Sequence, residues 1–488
     1  MDMEEDLRPK WGQGCSRFCL LPQRVVCSIM GFLSLICVYT NRVSLSMVIT
    51  VIVVPINRTA VNETDDRVDA CPMELEPSEV VKNDDLYDWD EQTQSNILGV
   101  FYGGYIVSHL PGGILADKYG AKWVLGICTL VSGISTIFSH IAIVAGGIWC
   151  LMVIRVLMGL AQGPIFPALS VLLASWVPKR ERGTLGTLCY SGSTLGIILS
   201  NSCSGLLLSS FPWPVTFYVF GGASVIWFII FSFLCTSSPM THPCIKPKEM
   251  TYLMQSIGQT TKDKPPIPWK SMLLSMAMLG VIISQLGHDW GYFVMVTFLP
   301  KYMSDVLGVS TKSNGLYTSL PYLAMWLASL ASGPLADWLI RTGKLSITTE
   351  RKLFTFLSAL LPGLFLVIAS YAGCNKTAVV TLFTISMLFM GPYYAGQKLT
   401  PMDMSPSYAG TIMALTNGGG AIAGLASSPI VGALTPNAAL REWHVVFITC
   451  LVILVISALI FWWLGSGEVQ PYDPLYKAPG DNEEEKKK

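Results

Sequence analysis

Four cationic or potentially cationic side chains interrupt otherwise apolar stretches of this chain: Arg42, Arg155, His288 and Lys398. A charged group inside a bilayer costs about 2.5–3.5 kcal/mol on insertion scales, so such groups mark function or a structural pair. Cations converging at membrane depth are the pattern of a site that reads a small anion. The alternatives are structural pairing or snorkelling for the two arginines, pairing of Lys398 with Asp403, and packing for His288. Gln162 lies seven residues after Arg155 and so returns to nearly the same helix face. Gly159 and Gly163 flank that face, where small residues either admit a neighbouring helix or leave room for substrate. His109, Asp289 and Asp403 complete the polar residues of interest within the apolar stretches.

The elements that hold these groups are membrane spans. Of 488 residues, 51% are apolar and 13% charged, and the mean hydropathy is +0.51. That composition leaves too little charge to cover a soluble protein and implies an all-α integral membrane protein. Apolar stretches of bilayer length (about 20 residues) recur twelve times. They cover residues 25–54, 93–117, 123–144, 148–177, 183–210, 213–236, 272–307, 313–340, 352–373, 377–403, 408–435 and 442–465. Arg42, Arg155, His288 and Lys398 fall in spans one, four, seven and ten, the equivalent helices of four three-helix units. In a bundle of two six-helix halves those four line the central cavity.

The polar interruptions divide the chain. Residues 1–24 form an N-terminal tail, 25–236 one six-helix half, 237–271 a linker, 272–465 the second half, and 466–488 a C-terminal tail. Residues 55–92 form a long first connection. With both tails inside, 22 Lys and Arg lie on the inner side and seven on the outer, with three in spans. This bias puts both termini in the cytoplasm. The N-x-[ST] sequons at Asn57, Asn62 and Asn375 all fall in outer connections, where glycosylation occurs. Cys71 and Cys374 are the only cysteines there. The C-terminal tail carries Tyr472-Asp-Pro-Leu475, which fits a short tyrosine-based sorting pattern.

The ends of spans two and eight repeat. PGGILADKYGAKW and SGPLADWLIRTGK share a Leu-Ala-Asp core followed by basic residues. Parallel repeats of this kind mark rocker-type transporters. Asp117, Lys118 and Lys122 in one half, with Asp337 and Arg341 in the other, are the expected latch that releases during rocking. The balanced charge (32 basic, 32 acidic) offers nothing to nucleic acid. The sequence holds no phosphate-cradling G-x-x-x-x-G-K-[ST] loop, no H-E-x-x-H and no nucleophilic triad, so neither an ATP-driven pump, a zinc site nor an enzyme is expected.

The segments VYTNRVSLSMV, LGVFYGGYIVSHLPGGILADKYG, RVLMGLAQGPIFPAL, FPWPVTFYVFG, NGLYTSLPYL and MDMSPSYAGTIMALTN resemble the anion:cation symporter family of the major facilitator superfamily. That family includes sialin, vesicular glutamate transporters and sodium-phosphate cotransporters. The resemblance spans nearly all of residues 25–470 and looks closest to sialin-like and inorganic phosphate cotransporters of invertebrates. It implies the major facilitator fold, no cofactor, a small anionic substrate, a coupling cation (Na+ or H+), and function as a monomer in a lipid bilayer. Arg42 and Arg155 match the family's substrate arginines of spans one and four. His288 falls where the glutamate transporters carry a third arginine.

The departures bear on coupling. Sialin has glutamates tied to proton coupling where this chain has Met158 and Gln162, and a histidine where this chain has Ser170. Thr400 replaces the family's usual asparagine before the span-ten Asp, and Lys398 is unusual. Sodium- or potential-driven transport stays more open than proton-driven export. Sialin has cysteines at places matching Cys71 and Cys374, which implies a disulfide between the halves. Three readings follow: a symporter of inorganic phosphate or an organic carboxylate at the cell surface, a lysosomal or vesicular transporter of acidic sugars or amino acids, and a non-transporting sensor or anion channel on the same fold.

Overall fold

The computed structural model describes residues 21–53, 71, 87–178, 182–257, 267–405, 408–437 and 439–473. Eight helical stretches are long and apolar enough to cross a bilayer. One of them, Ala121–Leu173, is long enough to cross twice and reverses at Gly147. Gly147 sits at φ 60°, ψ −149°, a left-handed conformation that suits a residue without Cβ. Arg182–Ser210, Met276–Lys301 and Ala409–Leu434 add three crossings. Their Gly, Ser, Gln, His and Asp content lowers their hydropathy, because their polar faces are covered by protein rather than lipid. The twelve crossings read from the sequence are accounted for.

Span one (Gln23–Ile52) begins with a cap from the linker. Its first backbone N–H groups have no partner within the helix. Glu249, on a linker helix Pro247–Ile257 that the sequence reading left unstructured, accepts from the Gln23 and Arg24 N–H groups at 2.9 and 3.2 Å. Its carboxylate also pairs with the Arg24 guanidinium at 3.3 Å. The linker is thus a docked element that favours a negative charge at a helix N-terminus.

The halves meet along two symmetric seams: span two (Glu91–Tyr119) lies on span eleven (Ala409–Leu434), and span five (Arg182–Ser210) on span eight (Thr311–Arg341). Both seams are built on small residues. A Cβ at Gly99 would meet Ser428 at 2.6 Å, and one at Gly315 would meet the Asn201 carbonyl at 2.5 Å. Ser202 and Ser319 hydroxyls bond across the second seam at 2.7 Å.

Two spans differ from the continuous helices expected. Span four breaks between Gln162 and Ile165, at Gly163-Pro164. Span ten runs as an α-helix only over Lys376–Met390, then passes through short 3-10 turns at Gly391–Tyr394 and Gln397–Leu399 before a last turn, Thr400–Met404. Pro392 and Pro401 lack the N–H that a continuous helix requires. Arg351 of span nine (Ile347–Ser370) braces the unwound stretch. It donates to the Ala395 carbonyl at 2.5 Å and to Asp403 at 2.8 Å, and pairs with Glu350 at 2.5 Å.

The start of the C-terminal tail is also docked. Gln470 N–H donates to the Met404 carbonyl at 2.9 Å, and Ser405 donates to the buried Asp473 carboxylate at 2.5 Å. Tyr472 packs against Met272, Met278, Tyr408 and Ile412. Tyr472 is thus docked, while Leu475 of the tyrosine-based pattern lies outside the described residues. The apolar ring is better served by this pocket than by water.

Gly159 settles what the glycines of span four do. A Cβ there would lie 2.1 Å from the Phe101 carbonyl, and one at Gly104 would lie 2.3 Å from the Val156 carbonyl. The glycines serve close packing of spans two and four and leave no room for substrate. Gly159→Ala therefore forces two backbones apart and costs about 1–3 kcal/mol. Gly222→Ala, in open space, leaves stability unchanged. Thermal unfolding of the two variants in detergent, followed by intrinsic fluorescence, checks the contrast.

Candidate functional site

Close packing of spans two and four carries Phe101, Tyr102 and Tyr105 into the interior, against span one. There they surround Arg42. Its guanidinium carbon lies 4.5 Å from the Phe101 ring centre, 4.8 Å from Tyr39, 5.0 Å from Tyr105 and 6.0 Å from Tyr102. Each ring face offers about 0.5–2 kcal/mol to a desolvated cation. Arg42 Nε donates to Gln162 Oε1 at 3.1 Å. Gln162 uses its other end too: its amide donates to Ser132 at 2.8 Å and to the Val38 carbonyl at 3.2 Å.

Arg155 arrives from span four. Its Nη1 donates to the Arg42 carbonyl at 3.3 Å and to the Met158 sulfur at 3.6 Å, and its guanidinium shares the Phe101 ring at 5.2 Å. Arg42 and Arg155 are 5% and 3% exposed. Among the described residues neither has a carboxylate partner, and Arg42 Nη2 and Arg155 Nε have no hydrogen-bond acceptor. Both arginines line a small cavity with Ser46, Tyr102 and, across the interface between halves, Val296 and Thr297 of span seven (Met276–Lys301). Two guanidiniums that line one cavity and each keep an unpartnered donor suit an anion with two or more oxygens.

The other half contributes a separate polar cluster. His288 stacks on Tyr393 of the unwound stretch, ring centres 3.4 Å apart, and its Nδ1 lies 3.3 Å from Asp289 Oδ1. Gln285 donates to Asp289 Oδ2 at 2.7 Å and accepts from the Tyr393 hydroxyl. Lys398 Nζ donates to Asn417 Oδ1 at 2.6 Å. It does not pair with Asp403, which Arg351 holds. Lys398 and His109, which is buried on span two, lie within electrostatic reach of each other, as do Lys398 and Asp289. The structure thus brings Arg42, Arg155 and Gln162 into contact. His288 and Lys398 belong to the facing cluster and make no hydrogen bond to the arginines.

Of the expected latch residues, the side chains of Asp117, Lys118 and Asp337 lie outside the described residues. Lys122 Nζ donates to the Ser232 carbonyl at 2.8 Å and sits over the Trp123 ring, contacts within its own half. Arg341 is exposed at the end of span eight. Asn57 and Asn62 lie outside the described residues. Asn375 is exposed and caps span ten by accepting from the Ala378 N–H at 3.1 Å. Cys71 and Cys374 are joined by a disulfide, Cα atoms 5.3 Å apart.

The halves are also tied by an ion pair that sequence reasoning missed. Lys301, at the end of span seven, reaches Glu91, at the start of span two, at 2.9 Å, Gln94 at 2.5 Å and Asp305 at 3.0 Å. Lys301 and Glu91 are each 5% exposed. Nearby, a Cβ at Gly432 would touch Ser95. This end of the interface is closed over the arginine cavity. The pair joins residues 210 positions apart, so no local spacing reveals it.

Twelve crossings in two pseudo-symmetric halves, with buried cations at their interface, define a membrane transporter rather than an enzyme. A family model for the Major Facilitator Superfamily matches residues 28–428. The chain is 35% identical to a "Putative inorganic phosphate cotransporter" of Drosophila ananassae, covering 91% of this chain and 93% of that protein. It is 34% identical to human sialin, covering 91% and 89%. The fold matches that of a D-xylose-proton symporter with a TM-score of 0.66 at 14% identity, covering 92% and 99% of the two chains. The chain belongs to the major facilitator superfamily, in the family of sialin, the inorganic phosphate cotransporters and the vesicular glutamate transporters.

Removing one member of a buried pair leaves a lone charge and costs about 3–5 kcal/mol. Lys301 serves two carboxylates, whereas Glu91 leaves Lys301 with Asp305 when it is lost. Lys301→Met is therefore more destabilising than Glu91→Gln, and the double variant is less so than the sum of the two. A double-mutant cycle on thermal stability in lipid nanodiscs measures the order.

Proposed function

We propose that this protein is a secondary active transporter that moves a small anion, inorganic phosphate or an organic carboxylate, by alternating access between its two halves. The observation that carries the reading is the pair of buried guanidiniums, Arg42 and Arg155, with unsatisfied donors at one inter-half cavity. A bound oxyanion completes both and offsets two desolvated charges at once, which an apolar or cationic solute cannot do. Lys398 supplies further positive potential from the facing half, and His288 a polar ring.

Similar identity to a phosphate cotransporter and to sialin supports both substrate classes. The second reading, a lysosomal or vesicular transporter of acidic sugars or amino acids, rests on the sialin likeness. Both chemistries share the guanidinium fork. The third reading, a sensor or anion channel on the same fold, is less favoured, because the relatives are named as transporters. The reading is of a functional monomer, since Arg42, Arg155, Gln162 and both faces of the cavity belong to a single bundle of two halves.

The proposal has both termini in the cytoplasm and the protein at the cell surface. The Cys71–Cys374 disulfide and Asn375 sit together at one end, as an oxidising, glycan-bearing exterior requires. Asn375 caps through Oδ1 and so leaves Nδ2, the atom that carries a glycan. The latch role of Asp117, Lys118, Lys122, Asp337 and Arg341, at the opposite end, remains part of this proposal.

Uptake of labelled inorganic phosphate, sialic acid and glutamate into proteoliposomes, with and without sodium and a pH gradient, tests the reading. Arg155→Ala abolishes the uptake while leaving expression intact, by loss of a desolvated anion contact of about 2–5 kcal/mol. Arg155→Lys rescues poorly, because a point charge cannot replace the fork. Normal flux in Arg155→Ala excludes the site.

A further inference from the structure

We infer that the linker forms, against the start of span one, a binding site for the phosphomonoester headgroup of an anionic membrane lipid. The site lies outside the arginine cavity and does not depend on the transport reading. A cavity of about 320 Å³ opens between the two elements, lined by Pro22, Arg24, Lys246, Lys248, Glu249 and Tyr252. That volume is at the lower end of small-molecule sites and suits a sugar-phosphate headgroup.

The walls of this cavity are anchored on both sides. Upstream, His242 Nε2 donates to the Leu234 carbonyl at 3.1 Å, its Nδ1 accepts from the Cys244 N–H at 3.2 Å, and its ring meets Trp176 edge-on. Downstream, Glu249 holds the helix Pro247–Ile257 on the Gln23 and Arg24 N–H groups. Lys246 and Lys248 lie between these anchors, on either side of Pro247, and both are exposed. Among the described residues neither has a carboxylate within ion-pair distance. The one acid of the cavity, Glu249, is committed to the span-one N–H groups and to the Arg24 guanidinium. Arg24 is in turn oriented by the Tyr252 ring, whose centre lies 5.1 Å from the guanidinium carbon. Three cations therefore face one engaged carboxylate, and two of them are uncompensated.

An apolar edge beside the cavity selects a lipid. The linker helix buries Leu253 but leaves Tyr252 and Met254 exposed, and Leu21 is exposed just before span one. Basic groups beside exposed Leu, Tyr and Met at the end of a membrane span match the layering of the bilayer interface, with phosphates next to the first acyl carbons. On the proposed orientation this end is cytoplasmic, where the leaflet carries the anionic lipids. A phosphomonoester carries close to two negative charges and three acceptor oxygens. It therefore answers two uncompensated ammoniums better than the single charge of a phosphodiester does. A headgroup bound there bridges Arg24 of span one to Lys246 and Lys248 of the linker. It fastens the linker to the same helix that carries Arg42 deeper in the bundle.

Native mass spectrometry of the full chain, released from phosphatidylcholine nanodiscs with and without phosphatidylinositol 4-phosphate, tests the site. The wild type retains the phosphoinositide. The double variant Lys246→Gln/Lys248→Gln binds it about tenfold or more weakly. A second double variant, Lys270→Gln/Lys344→Gln, removes the same charge from exposed positions on the same side of the bundle and stays within about twofold of wild type. The phosphoinositide also raises the thermal unfolding midpoint of the wild type, and not that of the linker variant. Unchanged binding in the linker variant overturns the inference. Equal loss in the two double variants overturns it too, because it marks diffuse attraction to a basic surface rather than a site. Soluble inositol 1,4-bisphosphate that binds as tightly as the lipid overturns the lipid assignment in favour of a free sugar phosphate. None of these readouts involves transport, so a negative result leaves the transport reading untouched, and absent uptake leaves this site untouched.

Discussion

Two guanidiniums buried at the interface between the halves, with no carboxylate beside them among the described residues, constrain the rest of the structure. Arg42 and Arg155 must be held in a low-dielectric interior while keeping donors free. An ion pair would satisfy them and close the site to an anion. The protein instead stabilises them weakly and from several sides: ring faces, one glutamine, one backbone carbonyl and one thioether. These partners offset part of the desolvation cost but carry no net negative charge. Gln162 illustrates the choice. A glutamate could accept from Arg42, but it could not also donate to Ser132 and Val38, and its charge would compete with the substrate.

The aromatic cage in turn depends on glycine. Phe101 faces both arginines only because span two approaches span four at Gly104, Gly159 and Gly163. The same economy of side chain shapes the seams between halves. Small residues let the helices of opposite halves lie against one another without interlocking bulky groups, which suits surfaces that must part and re-form.

Much of this was legible in the sequence because membranes penalise charge so strongly. Arg42 and Arg155 stood out against their apolar surroundings, and the seven-residue step to Gln162 placed it correctly beside them. Twelve crossings followed from length and hydropathy. What stayed hidden is non-local. The Lys301–Glu91 pair sits at span ends, where charges are ordinary, and its meaning comes from the packing of two halves. The unwinding of span ten was signalled by Pro392 and Pro401, yet a hydropathy window reads through prolines. Glu249 and Tyr472 lie in polar segments that look like solvent-exposed chain, and only their docking partners show otherwise. Lys398 had an acid five residues away in sequence, but the broken helix turns Asp403 toward Arg351 and gives Lys398 to Asn417.

The energetic logic of alternation rests on which ties can be broken. The disulfide links the halves permanently, but through Cys71, which lies in a connection of more than thirty residues between spans one and two. A loop of that length adds little resistance to relative motion of its ends. The Lys301–Glu91 contact is different, because it joins helix ends directly. Opening that end must separate two buried charges and hydrate both. A ligand can shift such an equilibrium only by its differential affinity for the two states. The proposed anion cavity of Arg42 and Arg155 is lined from span seven by Val296 and Thr297, one helical turn before Lys301. Span seven therefore joins the arginine cavity to the closing ion pair. On the proposed reading, substrate binding and closure thus act on one helix, which lets an anion bias a single motion.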